Sequence, residues 1–555
     1  MLFGWTRQHS RAMVIGMDDA HLQAALAAWR GVLGGEHVLD GAGGLAAYTE
    51  NVSALARRVP AVLRPGSTED VRRVVLIANA QRVPLYPISC GKNWGMGSKL
   101  PVRDGTVIVD LRRMNRIREL NAEHHYVVVE PGVTQGQLHD YLREHNLPLM
   151  FNVTGSGRGT SLIGNCLERG VGYFSSRADA LSGLEVVLGN GRVIVTGNGH
   201  IDGSVTTHLY KYGLGPSLDG LFAQSNFGIV TAAGMELLPR HGEQTALLAK
   251  ISDSRQFAPL VQALTELRKR EVLRTAVHIG NRNRTVSTLG PLVQEQLAPS
   301  RRGVGAGDLR VEAERMIAAA GFGPWSAVGG IVGGRAEQAA VRREVRRALR
   351  GIADVKFLDD ASLAIVRRWT ARLSGIAAFR RKHIMLRAIE PLMGLARGIP
   401  TDQPLKSIYW LVGDAPPAEG EIDPDRSRSG FLYCLPMVPM SGNDARAAVD
   451  ATEAIFGGHG FEAYITFNMV NTKVLEGVIN LAFDRTQPAR VEAAHRAIEA
   501  LQQRFMALGF TPYRLGIQSM PGFLDAQDPF WQTVRELKQV FDPNHIIAPG
   551  RYNLV

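Results

Sequence analysis

The chain has 555 residues, more than one compact domain usually needs, and 45% of them are apolar, enough to fill large cores. No apolar run is long enough to span a bilayer, and the three cysteines, Cys90, Cys166 and Cys434, form neither a zinc pattern nor a disulfide framework. Much of the net charge of +11 lies in residues 341–351, whose spacing predicts a solvated amphipathic helix rather than a nucleic-acid surface.

The N-terminal segment "MLFGWTRQHSRAMVIGMDDA" contains arginines but no sustained apolar stretch ahead of a small-residue cleavage site. We interpret it as part of the mature protein and not as a signal peptide. Scattered cysteines are typical of a reducing compartment, so a cytoplasmic protein is expected. The basic residues are not interleaved with aromatic ones, so we expect no nucleic-acid partner and no membrane span.

The first 240 residues contain many short strands separated by turns. "AVLRPGSTEDVRRVVLIANAQ" predicts a strand, a Pro-Gly break and a helix capped by Ser67 or Thr68, with acidic residues in its first turn. Regular strand–helix alternation is missing, so an α+β fold is predicted and a doubly wound nucleotide fold is disfavoured. The other predicted elements are a strand at 83–89, strands at 105–111 and 126–134, a helix after 134, a hairpin at 181–197 around Asn190-Gly191, and a strand at 228–239.

From about residue 244 the pattern changes to longer helices with strands between them. Helical spacing is clear in "FAPLVQALTELRKREV", "DARAAVDATEAIFGGHG" and "RVEAAHRAIEALQQRFMALG". The strands between the helices include "GFLYCLPMVPM" and "VLEGVINLAFD". These recurring strand and helix units predict a second α+β domain built on an antiparallel sheet.

Four segments place glycine and small residues next to strands. Glycine permits positive φ and lets the backbone approach a flat or charged ligand, and successive free N–H groups form nests that bind anions. One such loop can be a plain surface turn, and "GSGRG" does not join a long strand to a helix as a dinucleotide fingerprint does. Four of them in one region favour a large cofactor with a diphosphate. The segments are 87–98, 155–165, 168–176 and 224–230.

Several long motifs together resemble the vanillyl-alcohol oxidase/para-cresol methylhydroxylase family of flavoproteins. They are "PISCGKNWGMGS", "TSLIGNCLERGVGY", "SGLEVVLGNGRVIVTG", "KYGLGPSLDGLFAQSNFGIVT" and "FDPNHIIAPGRYN". The match is dense over 62–243, fair over 430–555 and weak between. The resemblance implies an FAD-binding domain formed by residues 1–243 and the returning segment 501–555, with a cap domain at 244–500. It also implies a homodimer.

The resemblance assigns the cofactor residues. "PISCGKNWGMGS" is similar to the family's diphosphate loop, Gly164-Asn165 to a second turn that contacts the flavin, and Arg551 to a basic residue that returns to the flavin. The strands at 185–187 and 228–230 are similar to those whose backbone meets the adenosine half. The residues implied to bind FAD are Pro87, Ser89, Cys90, Gly91, Lys92, Asn93, Gly95, Gly97, Gly155, Ser161, Gly164, Asn165, Gly172, Glu185, Gly228, Ile229, Val230 and Arg551.

On the substrate side, Tyr513-Arg514 matches the Tyr-Arg pair with which phenol-oxidising members hold the substrate as a phenolate. An arginine fork can bind either a phenolate or a carboxylate. The resemblance also places Met96 where the family has a second tyrosine, and Ser156 where it has a carboxylate. The histidine that bonds covalently to FAD in some members falls near Glu476-Gly477, so non-covalent FAD is expected. The histidines show no metal spacing, and no metal is expected.

The sequence therefore predicts an FAD-linked oxidoreductase, an oxidase or dehydrogenase, that takes hydride from a phenolic, benzylic or alcohol-type carbon of a small, natural-product-like molecule. A 2-hydroxy-acid or sugar-type FAD dehydrogenase is a second hypothesis, in which Arg514 holds a carboxylate. A basic binding protein that keeps the fold without redox activity is a third. The electron acceptor, whether oxygen, a protein or a quinone, stays open.

Overall fold

The computed structural model describes residues 19–240, 244–300, 304–418 and 420–555. The interpretation of the N-terminal segment as mature protein lies outside these ranges, and so does the expected domain boundary at residue 243. The described chain forms three sheets of four or more strands and one two-stranded ribbon. The strands and helices together match the predicted α+β class.

A small sheet near the N-terminus has the strand order β1-β2-β4-β3, with β4 parallel to both β2 and β3. Ser67 begins the helix at Thr68 because its side chain accepts a hydrogen bond from the N–H of Asp70, as predicted, and Arg82 ends it at a φ of 54°. The elements are α1 (Asp19–Leu33), β1 (Val38–Leu39), α2 (Ala42–Thr49), β2 (Val62–Leu63), α3 (Thr68–Gln81), β3 (Leu85–Ile88) and β4 (Val107–Asp110).

A second sheet is antiparallel and has five strands, in the order β5-β6-β10-β8-β9. The hairpin predicted at Asn190-Gly191 is confirmed, and Gly191 has the positive φ, 79°, that its turn requires. The elements are β5 (Ile117–Asn121), β6 (Tyr126–Val129), α4 (Gln135–Glu144), β7 (Leu149–Met150), α5 (Leu162–Leu167), β8 (Leu181–Leu188), β9 (Val193–Val195), β10 (Gly228–Glu236) and β11 (Leu238–Pro239).

The predicted antiparallel sheet of the middle region has eight strands, which we call the cap sheet; seven follow the order β15-β12-β14-β13-β18-β19-β16, and β17 pairs with β19. Its elements are β12 (Thr245–Ile251), α6 (Phe257–Lys269), β13 (Val277–Asn281), α7 (Arg282–Leu297), α8 (Ala306–Ala319), β14 (Trp325–Ile331), α9 (Arg335–Ala348), β15 (Asp354–Asp359), α10 (Asp360–Arg372), α11 (Ala377–Leu395), α12 (Lys406–Leu411), β16 (Ser429–Cys434), β17 (Met437–Pro439), α13 (Gly442–Gly458), β18 (Tyr464–Met469), β19 (Val474–Asp484) and α14 (Pro488–Ala507).

The two faces of the cap sheet differ because successive side chains of a strand point to opposite sides. One face carries apolar residues such as Ile279, Phe467 and Ile479, which form a single core with α6, α13 and α14. The other face carries polar residues, and it is the face on which the candidate site is built. Helix α14 runs through the expected boundary between residues 500 and 501, and its Phe505 still belongs to the cap core.

The basic stretch at 341–351 is the amphipathic helix α9 continued by a turn, as predicted. Val345 is buried, while the guanidinium groups of Arg342 and Arg346 lie over the ring of Phe357. Glu344 forms ion pairs with neighbouring arginines. Part of this charge is thus balanced by ion pairs or packed on an aromatic ring.

The C-terminal segment returns to the first sheet after α15 (Pro529–Phe541). Leu85 of β3 donates its N–H to the carbonyl of Ile546 at 2.7 Å and accepts from the N–H of Ala548 at 2.6 Å, so the tail extends the sheet edge. This brings Arg551 to the loop that follows β3. Among the helices in the described part of the chain, none is both long and apolar enough to cross a bilayer.

Candidate active site

A cleft lies between the loop after β3, helix α5, the start of β10 and the returning C-terminal segment. It encloses about 980 Å³ of space, a volume that includes the open solvent at its mouth. Of the residues expected to bind FAD, those that line the cleft are Pro87, Ser89, Cys90, Gly91, Lys92, Asn93, Ser161, Gly164, Asn165, Gly228, Ile229, Val230 and Arg551. Arg514, expected on the substrate side, lines it as well.

Five of the expected cofactor residues do not line this cleft. Gly95 and Gly97 have positive φ, 75° and 103°, but a Cβ there would meet Tyr433 and Ile517, so packing against those side chains requires glycine. Gly155 lies near Pro404, and Gly172 packs on the side chain of Asn152. The Glu185 carboxylate accepts hydrogen bonds from Thr68 and Thr231 and pairs with Arg118, away from the lining.

The floor of the cleft carries an ion-pair cluster that sequence reasoning missed. Glu168 forms an ion pair with Arg551, and its other oxygen lies 3.4 Å from Nε of Arg514. Arg514 also donates to the side-chain oxygen of Asn93, and Arg551 donates to the Tyr86 hydroxyl at 2.9 Å. The chain separation between Glu168 and the two arginines gives no sequence signal for this contact.

One buried polar atom of the lining, Oδ1 of Asn165, has no hydrogen-bond partner within the described residues. Oε2 of Glu168 and Nε of Arg514 make no hydrogen bond either, but they lie 3.4 Å from each other as an ion pair. Buried polar groups are nearly always paired, so Oδ1 of Asn165 marks a place where a polar ligand binds. Burial also raises the pKa of the Cys90 thiol to about 11, so the thiol is neutral. The glycines, Oδ1 of Asn165 and the guanidinium of Arg551 fit a large, polar, anionic cofactor.

Beneath the cap sheet, next to the cleft, lies a small cluster of mostly apolar side chains, which we call the apolar pocket. Met96, Leu435 and Tyr513 are buried together, and Tyr433 and Met437 of the cap strands pack against them. The structure thus brings together Met96 and Tyr513, which the sequence assigned separately to the substrate side. Ser156 is not part of this cluster; its carbonyl and its hydroxyl oxygen lie within hydrogen-bonding distance of the Thr160 hydroxyl.

Two tyrosines, the buried Tyr513 and the half-buried Tyr433, act electrostatically on the half-buried guanidinium of Arg514. Burial raises the pKa of Tyr513 and of Tyr433, and the charge of Arg514 opposes both rises. Burial lowers the pKa of Arg514, against the influence of its tyrosine neighbours. Tyr433 was not assigned from the sequence, because "GFLYCLP" indicates a buried strand but not which side chain meets the pocket.

Glu476 lies at the same pocket, opposite Met437 in the register of β17 and β19. Burial, with a smaller contribution from the negative charge of Asp179, raises the pKa of Glu476 to about 7. The negative charge of Glu476 in turn adds to the raised pKa of Tyr513, which places the two side chains near each other. From the sequence, Glu476 was identified only as lying near the position of the histidine that bonds covalently to FAD in some family members.

No metal site accompanies these groups in the described ranges, where no three His, Cys, Asp or Glu residues are placed to hold an ion. The buried histidine of the cap sheet, His278, instead lies 2.6 Å from the Asn468 amide oxygen and packs on Tyr173.

Replacing Gly164 by valine is expected to lower the FAD content of the purified protein at least tenfold. A Cβ at this position would lie 2.6 Å from Oγ of Ser89, so a branched side chain must enter the cleft or displace its wall. The ratio of FAD to polypeptide in the absorption spectrum measures the effect. Gly457→Val is the control, since no atom lies within 4 Å of a Cβ there. Full FAD in Gly164→Val would contradict this placement of the cofactor.

Two relatives and one solved structure are similar to this chain over nearly its whole length, and a family model matches part of it. The family model "FAD binding domain" matches residues 59–197. The chain is 35% identical to 1'-carboxy-chondrochloren decarboxylase of Chondromyces crocatus, over 97% of this chain and 98% of the relative. It is 28% identical to the flavoprotein subunit of the hydroxylating 4-cresol dehydrogenase of Pseudomonas putida, over 98% of each chain. The structure of 4-ethylphenol oxidase from Gulosibacter chungangensis superimposes with a TM-score of 0.82 at 26% identity, covering 97% of this chain and 98% of that one.

One relative that is named for the oxidation of a 2-hydroxy acid is similar to only part of this chain. The glycolate oxidase subunit GlcD of Bacillus subtilis (strain 168) is 31% identical, but over only 39% of this chain and 45% of its own length.

Proposed function

Since the chain belongs to the vanillyl-alcohol oxidase/para-cresol methylhydroxylase family and is an FAD-dependent oxidoreductase, we propose that it oxidises a para-substituted phenol. Hydride would leave the carbon attached to the ring opposite the hydroxyl. Support comes from relatives named for 4-cresol and 4-ethylphenol, which match this chain over nearly its whole length.

The observation that carries the proposal is the pair of tyrosines beside Arg514. Within the described residues, neither the Tyr433 nor the Tyr513 hydroxyl has a hydrogen-bond partner. Two tyrosine hydroxyls and the guanidinium of Arg514 form a set of donors suited to a phenolate oxygen. Met96 stands where the family resemblance places a tyrosine, so the hydroxyl of that tyrosine is absent here. Tyr433 of the cap sheet, which packs against Gly95, supplies a hydroxyl instead.

The residues would promote the reaction by holding negative charge at the phenolic oxygen. The guanidinium of Arg514 and the two hydroxyls favour ionisation of the bound phenol, and the ionised oxygen raises electron density in the ring, which eases loss of hydride. FAD, when bound, supplies the hydride acceptor. Glu476, with a pKa of about 7, can accept a proton at neutral pH. Met96 and Leu435 keep water away from the ring.

The test is anaerobic bleaching of the flavin by 4-ethylphenol, with 4-ethylanisole as the matched compound that cannot ionise. We expect bleaching by the phenol alone. Tyr433→Phe should slow it by about tenfold or more, because a hydrogen bond to a charged group contributes roughly 1.5–3 kcal/mol. Equal bleaching by the anisole, or no effect of Tyr433→Phe, would refute phenolate binding at this place.

A second outcome of the same oxidation is loss of a carboxyl group, which the name of the Chondromyces crocatus relative describes for that protein. With 3-(4-hydroxyphenyl)propanoate, removal of hydride from the ring-bound carbon followed by loss of CO₂ would return the electron pair to the ring and leave 4-vinylphenol. The reaction needs no oxidant besides FAD. Detection of 4-vinylphenol with one CO₂ per reduced flavin would support it, and recovery of a hydroxylated acid would exclude it.

A 2-hydroxy-acid dehydrogenase is less well supported, because the likeness to GlcD covers under half of either chain. Lactate and glycolate should therefore fail to bleach the flavin.

Non-covalent attachment of FAD is expected because Glu476 and Gly477 occupy the place of the absent histidine. Acid precipitation should release all yellow colour into the supernatant, where its spectrum and mass identify FAD. A yellow pellet would show a covalent link. The homodimer, the cytoplasmic location and the three-part division of the chain stay predictions, and the electron acceptor stays open.

A further inference from the structure

The polar face of the cap sheet carries a positively charged side chain, Arg284, beside the apolar pocket. Arg284 lies in the first turn of α7, directly after β13. Its Cγ is 3.6 Å from the position a Cβ would take on Gly280, so the side chain lies over that strand. Gly280 belongs to the same face as His278, two residues earlier on the strand. The missing side chain at position 280 leaves room for the arginine on the sheet.

The charge of Arg284 acts on the interior of the pocket. Burial raises the pKa of Tyr433, and the guanidinium groups of Arg284 and Arg514 oppose that rise. Burial raises the pKa of Tyr173 to about 12, again against the charge of Arg284. Arg284 and Arg514 thus act on the same tyrosine, Tyr433.

Arg284 is half-buried and has no partner for its charge. Within the described residues its guanidinium makes no hydrogen bond, ion pair or ring contact. Other arginines of the site differ in this respect, since Arg514 and Arg551 share Glu168. A guanidinium that no protein group engages can bind a ligand with negative charge.

Two further groups on the same face lack partners. Asn480 is 1% exposed, and neither its amide nitrogen nor its amide oxygen has a hydrogen-bond partner in the described part of the chain. It lies opposite Tyr433 in the register of β16 and β19. Nε2 of His278 is likewise buried and unpartnered. An amide and an imidazole can satisfy the remaining polar atoms of a bound acid.

We propose that Arg284 binds a carboxylate on the para substituent of the substrate, with Asn480 and His278 as hydrogen-bonding groups beside it. The inference rests on the proposed phenol oxidation and narrows the substrate class to phenols that carry an acidic side chain. Arg514 serves the phenolate and Arg284 serves the second negative charge. Because the ion pair forms before reaction, it contributes to binding and not to the rate of hydride loss.

The experiment compares 3-(4-hydroxyphenyl)propanoate with its amide, which have the same phenol and chain but differ in charge. Rates of anaerobic flavin bleaching against concentration give the dissociation constant and the limiting rate. Arg284→Gln should raise the dissociation constant of the acid about 10- to 100-fold and that of the amide less than threefold. Arg284→Lys should recover part of the loss. Arg282→Gln, an exposed arginine on the same helix, is the control and should change nothing.

Equal shifts for acid and amide, or no shift for either, would overturn the role of Arg284 while leaving phenol oxidation intact. If neither compound bleached the wild-type flavin, phenol oxidation itself would fail. In that case the perturbation of the flavin spectrum by the acid and by the amide still gives both dissociation constants, and loss of the preference for the acid in Arg284→Gln remains the required result.

Discussion

The Arg514→Ala variant is expected to lose about 30- to 1,000-fold in kcat/KM for a phenol, equivalent to about 2–4 kcal/mol of transition-state stabilisation. Arg514 is half-buried at the junction of the cleft and the apolar pocket, so its charge is only partly screened by water. The charge of Arg514 acts on both Tyr433 and Tyr513. The loss should appear in the rate of anaerobic flavin bleaching.

Two readouts separate this role from a structural one. Arg514→Lys keeps the charge but not the fork, and should recover part of the rate while the ratio of FAD to polypeptide stays near that of the wild type. The acidic limb of the pH–rate profile should move to higher pH in Arg514→Ala, because the bound phenol then ionises less readily. A variant that loses FAD but keeps its rate per remaining flavin would contradict the assignment.

Local patterns predicted the elements of the FAD-binding region well. The cap of α3 at Ser67 and the hairpin at Asn190-Gly191 depend on residues close together in the chain. The cap sheet was predicted as antiparallel, but its strand order was not. Strand β13 pairs with β18, whose residues come almost two hundred positions later, and such pairing is set by packing on both faces of the sheet.

The candidate site, too, was predictable from the sequence only in part. Glycine-rich segments indicated the cofactor cleft, because glycine next to a strand is visible in the sequence. Not every glycine is there for the reason that the sequence suggested. Gly95 and Gly97 make room for the side chains of Tyr433 and Ile517 and not for a ligand in the cleft. Glu168 and Tyr433 could not be assigned, because each acquires its role from partners that are far away in the chain.

The returning C-terminal segment depends on a fully buried ion pair. Nζ of Lys538 lies 2.6 Å from Oδ2 of Asp542, and both side chains are 0% exposed. The Lys538 ammonium also donates to the carbonyls of Asn226 and Ile547, and Oδ2 of Asp542 accepts from the N–H of Ile547 at 2.7 Å. These bonds hold the strand-like tail against β3, from which Arg551 reaches the cleft.

Lys538→Met is therefore expected to lower the free energy of unfolding by about 3–5 kcal/mol, because it leaves the Asp542 carboxylate buried without a counter-charge. Burial already lowers the pKa of Lys538 to about 8, yet the ammonium is still mostly charged at pH 7, so the full pair is present there. Urea unfolding of the FAD-free protein measures the change without the contribution of the bound cofactor. The double variant Lys538→Met with Asp542→Asn should be less destabilised than Lys538→Met alone, because the stranded charge is gone. If the two variants unfolded at the same urea concentration, or if Lys538→Met cost less than about 1 kcal/mol, the loss of stability would come from the changed side-chain shape and not from the buried charge.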